Sequence, residues 1–238
     1  MEQVKLNNGN EMPILGFGVY QVRPDQTETA VSSALKVGYR LIDTAEYYRN
    51  EAETGKAIAE SGIPRNEVFI TTKLPPQSSY ESAKARIKES AAAIGNDYID
   101  LMLIHWPGGD NVATYQALED AQKEGIVKNI GLSSFYGRQY QEILDKCDIV
   151  PVVDQNETHV FRQQLDFQPV LEKNGTKLES WSPLAEASSR LMNNATLKKI
   201  AAAHNKTVAQ IALKTLVQRG IIVIPKSTHE SRMKENFD

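Results

Sequence analysis

Cysteine is almost missing from this chain, with Cys147 the only one in 238 residues. A single thiol excludes an intrachain disulfide and any cysteine-based metal cluster. A basic excess is missing as well. With 27 Lys and Arg against 30 Asp and Glu the net charge is -3, and nucleic-acid binding needs the opposite balance. No apolar run is long enough to cross a bilayer. The opening MEQVKLNNGNEMP lacks the apolar core of a signal peptide, so a soluble, cytoplasmic protein is expected. Hydrophobic residues make up 41% of the chain, enough to bury a large core. The length suits one α/β barrel, which commonly takes ~250 residues, so a single domain over 1–238 is expected.

What the sequence does have is alternation. Short, β-branched, apolar segments recur: GFGVYQ (16–21), YRLIDTA (39–45), FITTKL (69–74), IDLMLIH (99–105), IVKNIGLS (126–133), IVPVVDQNE (149–157), TKLESWS (176–182) and IIVIPKS (221–227). They are too short and too evenly spaced to be helices. Between them lie helical patterns such as QTETAVSSALKVG, ESAKARIKESAAAIG, ATYQALEDAQKEG and TVAQIALKTLVQRG, which close on glycine. Eight strands, each followed by a helix, imply a parallel sheet, and eight units in this length favour a closed (β/α)8 barrel. The doubly wound alternative requires a glycine-rich phosphate loop after its first strand. GFGVYQ begins as GxG but has Gln21 at the third glycine position. The first segment, VKLNNGNEMPIL, reads as a β-hairpin around Asn8-Gly9 that plugs the N-terminal end of the barrel.

The functional signal is positional. Asp43, Lys73, His105, Ser133, Gln155 and Lys226 each close an apolar strand with a polar or charged side chain. In a closed barrel those ends meet on the face where barrel enzymes place their chemistry. Each has a plainer account taken alone: a solvated lysine, a packed histidine before Trp106-Pro107, an aspartate capping a turn. Together they suit proton donation by a phenol, with Tyr47 and Tyr48 following Asp43 in the loop. A free tyrosine, with a pKa of ~10, is a poor acid at neutral pH. A lysine ammonium beside it is expected to make the phenol more acidic. Asp43 then holds Lys73 charged, and His105 orients a carbonyl oxygen. His159, His204 and His229 read as structural or surface residues, and no metal site is expected.

DTAEYYRNE, TTKL, LIHWP and IPKS, in this order and spacing, resemble the aldo-keto reductase superfamily over nearly the whole chain. The resemblance implies a bacterial-type, NADPH-dependent aldehyde or ketone reductase with a catalytic tetrad of Asp43, Tyr48, Lys73 and His105. It selects Tyr48 over Tyr47, which the chemistry of the residues leaves open. It implies that Ser133, Ser134 and Gln155 hold the nicotinamide carboxamide, that Trp181 stacks on the ring, and that Ser182 and Leu184 follow the pyrophosphate. It places the adenosine 2′-phosphate on Lys226, Ser227 and Arg232 and the adenine on Glu235 and Asn236, so NADP(H) is expected over NAD(H). Tyr20 and Trp106 match positions that line the substrate pocket.

The match departs from the family pattern in four places. Ser134 stands for the usual Asn and Trp181 for the usual Tyr. LAEASSRLMNNA after the seventh strand is short, which implies a reduced clasp over the pyrophosphate. The sequence ends at KENFD, short of the further helix and tail that wall the pocket in family members. Two other readings stay open: an NADP-binding barrel with a structural or regulatory role and no catalysis, and a lyase using Lys73 as a Schiff-base nucleophile. Nothing in the sequence demands more than a monomer.

Overall fold

The computed structural model describes residues 2–238. An antiparallel hairpin of β1 (Gln3–Lys5) and β2 (Glu11–Pro13) opens the chain. Eight parallel strands follow: β3 (Phe17–Gly18), β4 (Leu41–Asp43), β5 (Phe69–Leu74), β6 (Ile99–Ile104), β7 (Val127–Ser133), β8 (Val153–Glu157), β9 (Lys177–Trp181) and β10 (Ile222–Val223). They pair in chain order from β3 to β10. The two outer strands are brought together by the parallel bridge Leu15↔Val223. Gly16 N–H donates to Val223 O at 2.8 Å and Val223 N–H to Ile14 O at 2.9 Å. Closure removes the sheet edges, so the strands form the (β/α)8 barrel expected from the alternation.

Every expected strand is present, FITTKL over its full length and the other seven trimmed to the residues that complete the ladder. Helices return the chain between strands: α1 (Pro24–Val37), α2 (Glu51–Ala59), α3 (Tyr80–Ile94), α4 (Asn111–Lys123), α5 (Gly137–Lys146) and α6 (Gln168–Lys173). After β9 come α7 (Ser189–Met192), α8 (Ala195–His204) and α9 (Val208–Val217), and after β10 comes α10 (Glu230–Phe237). Local chemistry sets the ends of several. Ser79 caps α3 by accepting from Ser82 N–H at 3.2 Å, and Gly95 ends it at φ +64. Thr207 and Gln210 form a reciprocal capping box on α9. No helix among the described residues is long and apolar enough to cross a membrane.

Two apolar layers result. Residues facing away from the barrel, such as Ile42, Ile70, Met102, Ile104, Ile130 and Leu132, pack against the helices. Their neighbours face inward: Leu41, Phe69, Leu101, Leu103, Val153, Ile222 and Ile224 fill the lower barrel with Leu6 and Met12 of the hairpin. The hairpin therefore plugs the barrel bottom as expected. Amides tie it there. Asn129, buried in β7, accepts from Asn8 Nδ2 at 2.7 Å and Asn10 Nδ2 at 2.9 Å, and donates to Asp100 O at 2.7 Å. One inward position has no room for a side chain. A Cβ on Gly131 would lie 2.4 Å from Val153 O, so glycine there lets β7 and β8 approach. Above the apolar layer the inward residues turn polar, with Asp43, Thr71, Lys73, Gln155 and Glu179 all buried.

Asn129→Ala removes three hydrogen bonds and leaves buried groups unpaired, which lowers stability by ~2–3 kcal/mol. Urea denaturation reads this as a lower midpoint at unchanged slope.

Candidate active site

Asp43 and Thr71 are partners across the β4–β5 ladder, and Lys73 follows Thr71 on the same inward face. The Lys73 side chain has no exposed surface. Its ammonium has three hydrogens, and three acceptors surround it: Asp43 Oδ1 at 2.5 Å, Thr44 O at 2.9 Å and Tyr48 Oη at 3.4 Å. The second Asp43 oxygen accepts from Gln155 Nε2 at 2.9 Å. Because Lys73 donates to Tyr48, the phenolic hydrogen is left free to point elsewhere.

The loop after β4 is built to hold Tyr48 over this cluster. Residues Glu46–Tyr48 form a 3-10 turn that ends with Arg49 in the left-handed region at φ +57. Arg86 of α3 pairs with Glu46 and anchors the turn from outside. Asn50 anchors it from inside. Fully buried, its Oδ1 accepts from Thr44 Oγ1 at 2.7 Å, and its Nδ2 donates to Val19 O and Val22 O at 3.1 and 3.2 Å. That amide joins the loop of Tyr48 to the loop of Tyr20, whose rings lie 5.0 Å apart. Tyr47 makes no bond to Lys73; it is 65% exposed at the cleft, with its ring edge-on to Trp106 at 5.6 Å.

Charge states follow from burial. Burial pulls the Lys73 ammonium down, but Asp43 and Tyr48 pull it up further, so Lys73 stays charged. Burial also raises the Tyr48 phenol, and the opposing pull of Lys73 does not cancel it. This corrects the expectation that Lys73 makes the phenol more acidic than usual: the cation acts in that direction, but desolvation of the phenolate is larger. Tyr48 therefore rests as a neutral phenol. Burial, with Lys73 nearby, pushes His105 down to about 3. Its Nδ1 has no hydrogen-bond partner, and its ring stands edge-on to Tyr48 at 5.5 Å.

A cleft of about 1110 Å³ opens over the cluster and runs along the C-terminal strand ends. Of the residues singled out from sequence, Asp43, Tyr48, His105, Tyr20, Trp106, Ser133, Ser134, Gln155, Trp181, Ser182, Leu184, Lys226, Ser227, Arg232, Glu235 and Asn236 all line it. Lys73 lies beneath the floor. Ser134 sits in the left-handed region at φ +61, where asparagine is better tolerated than serine. The segment after β9 reaches the cleft through Glu186, Ala187 and Met192. His229, expected to be structural or surface, is exposed at the residue before α10 and also lines the cleft. At that far end Lys226 and Arg232 are exposed beside the first turn of α10.

Sequence reasoning missed Glu179. It is fully buried and accepts from Gln155 Nε2 at 3.1 Å. Burial, with the Asp43 charge adding to it, pushes its carboxyl up to about 8. The available signal was period-two alternation in TKLESWS, which puts Glu179 on the same face as Trp181.

The depressed His105 value gives a measurable outcome. Its carbon-bound ring protons should show no titration between pH 5 and 9 by NMR, whereas an ordinary histidine would titrate near 6.5. The unfolded chain accepts this proton and the folded protein does not. Stability is therefore lost as pH falls from about 6.5 toward 3, and His105→Gln should flatten that slope.

The sequence pattern described as Aldo/keto reductase family matches residues 14–238. The chain is 42% identical over 240 residues to a glyoxal reductase of Bacillus subtilis, covering 100% of this chain and 86% of that protein. A methylglyoxal reductase DkgA of Escherichia coli is 38% identical over 238 residues, covering 99% and 86%. Solved structures are similar too. An aldo/keto reductase from Brucella melitensis superimposes with a TM-score of 0.95 at 44% identity, covering 100% of this chain and 92% of that one. The aldose reductase of Schistosoma japonicum does so with a TM-score of 0.94 at 35% identity, covering 100% and 86%. Barrel, strand-end cluster and similarity over the chain agree: it belongs to the aldo/keto reductase family and is an oxidoreductase.

Proposed function

We propose that the protein reduces aldehydes and ketones to alcohols with NADPH, and that Tyr48 protonates the carbonyl oxygen. The observation that carries this is the Lys73 ammonium donating to Tyr48 Oη on the cleft floor. A neutral phenol whose oxygen already accepts from a cation has its own hydrogen free for the substrate. As that proton leaves, the phenolate forms beside Lys73, whose charge is held by Asp43 and stabilises the transition state. Neutral His105 offers one ring N–H to the same carbonyl oxygen and fixes which atom meets Tyr48. Tyr20, Tyr47 and Trp106 form an aromatic rim suited to small, partly apolar carbonyl compounds, in keeping with the glyoxal and methylglyoxal reductases among the relatives.

The residues along the cleft fit an anionic dinucleotide. Lys226 and Arg232 are exposed cations beside a helix N-terminus, a ready anion site. We assign the 2′-phosphate to them with Ser227, and the adenine to Glu235 and Asn236. Ser182 and Leu184 follow the pyrophosphate, the half-buried Trp181 stacks on the nicotinamide, and Ser133, Ser134 and Gln155 hold its carboxamide. When bound, the nicotinamide supplies the hydride. The raised value at Lys73 speaks against the Schiff-base alternative, because a charged amine is no nucleophile. A cytoplasmic location suits the single cysteine.

Tyr48→Phe should lower kcat by ~10²–10⁴-fold, the usual contribution of a positioned acid. NADPH affinity should stay near wild type, since the aromatic ring remains. Undiminished turnover on a panel of aldehydes and ketones would exclude Tyr48 as the donor. Arg232→Ala should raise KM for NADPH roughly tenfold and leave KM for NADH nearly unchanged, as expected of a charge-assisted phosphate contact. Equal effects on both cofactors would remove the 2′-phosphate assignment.

A further inference from the structure

One carboxylate beneath the cleft takes no part in the reaction described above. Glu179 of β9 is the direct neighbour of Gln155 in the β8–β9 ladder. It is fully buried, and its Oε2 accepts from Gln155 Nε2 at 3.1 Å. The same nitrogen donates to Asp43 Oδ2 at 2.9 Å. A side-chain amide nitrogen carries two hydrogens, so the two carboxyl groups take both. Asp43, paired with Lys73, can only accept, and Glu179 meets the nitrogen rather than the amide oxygen. The Asp43 carboxylate thereby sets which end of the amide faces it, although the two ends have nearly the same shape. Among the described residues nothing donates to Gln155 Oε1, and Gln155 lines the cleft.

We propose that Glu179 is a positioning residue: with Asp43 it locks the Gln155 amide so that an acceptor, not a donor, faces the nicotinamide carboxamide. The proposal rests on the cofactor reading above. Asp43 alone would hold one N–H and leave the other free to turn toward the cleft, where it would confront the carboxamide N–H groups. Glu179 supplies the second restraint from the adjacent strand. Its hydrogen bond goes to Gln155, and it does not itself line the cleft.

The test is NADPH affinity, followed by quenching of tryptophan fluorescence, in wild type, Glu179→Met and Glu179→Gln, each also combined with Gln155→Ala. Glu179→Met, which fills the space without accepting, should weaken NADPH about tenfold. Glu179→Gln keeps an acceptor in place and should stay within about threefold. In the Gln155→Ala background Glu179→Met should add less than about twofold, because two residues acting as one unit are not additive. Wild-type affinity in Glu179→Met, or an undiminished loss without Gln155, would overturn the proposal. Should Glu179→Met not fold, the wild-type protein decides: the Gln155 side-chain amide should give two separate NMR resonances protected from solvent exchange. Rapid exchange at both would overturn the lock. A wild type that bound no NADPH would overturn the cofactor reading itself, and the amide resonances alone would then decide the role of Glu179.

Discussion

A protonated amine without any exposed surface is the constraint around which the upper barrel is arranged. Moving an ammonium out of water costs several kcal/mol even after the surroundings relax. Lys73 is tolerated because each of its hydrogens meets an acceptor. Those acceptors come from two consecutive residues at the end of β4 and from the loop that follows. Their positions are therefore linked: the Asp43 carboxylate, the Thr44 carbonyl and the Tyr48 hydroxyl must converge on one point. Removing either side-chain acceptor, Asp43 or Tyr48, would leave a buried charge partly unpaired. The arrangement that stabilises the cation is also the one that prepares Tyr48.

The rest of the barrel serves that convergence. The apolar lower layer and the hairpin plug exclude water from below, which strengthens every charge interaction above. The parallel bridge at Leu15 and Val223 closes the ring, so that Asp43 near one end of the strand order and Gln155 and Glu179 near the other meet across the interior. Polar and apolar layers are stacked along the same strands by simple alternation. Leu41 faces inward in the lower layer and Asp43 two residues later in the upper one; Phe69, Thr71 and Lys73 repeat the pattern. The transition from packing to chemistry takes two residues.

The electrostatics of the cleft divide along its length. At the floor, low dielectric keeps Tyr48 protonated and His105 neutral, so both are donors at neutral pH without titrating. At the far end, Lys226 and Arg232 remain in water, where a cation attracts an anion. The proposed proton donation needs the first environment, and the proposed phosphate site tolerates the second. Trp181 and Leu184 lie between them and supply apolar surface.

The sequence by itself determined the alternation, the eight strands and the polar residues that end them, because hydrophobic period and strand-end position are local properties. It determined the hairpin and several helix caps for the same reason. Local chemistry left open which of Tyr47 and Tyr48 meets Lys73; the resemblance to a family selected Tyr48, and the geometry of the turn at Glu46–Tyr48 brings that side chain to the ammonium. The acidity of Tyr48 was misjudged because one neighbouring charge is visible in sequence and the extent of burial is not. Glu179 was overlooked for a related reason. Its partner Gln155 is 24 positions away, and only strand pairing makes them neighbours. Tertiary structure decided what depends on distance through space: the three acceptors around Lys73, the shared amide of Gln155, and the desolvation that keeps Tyr48 and His105 neutral.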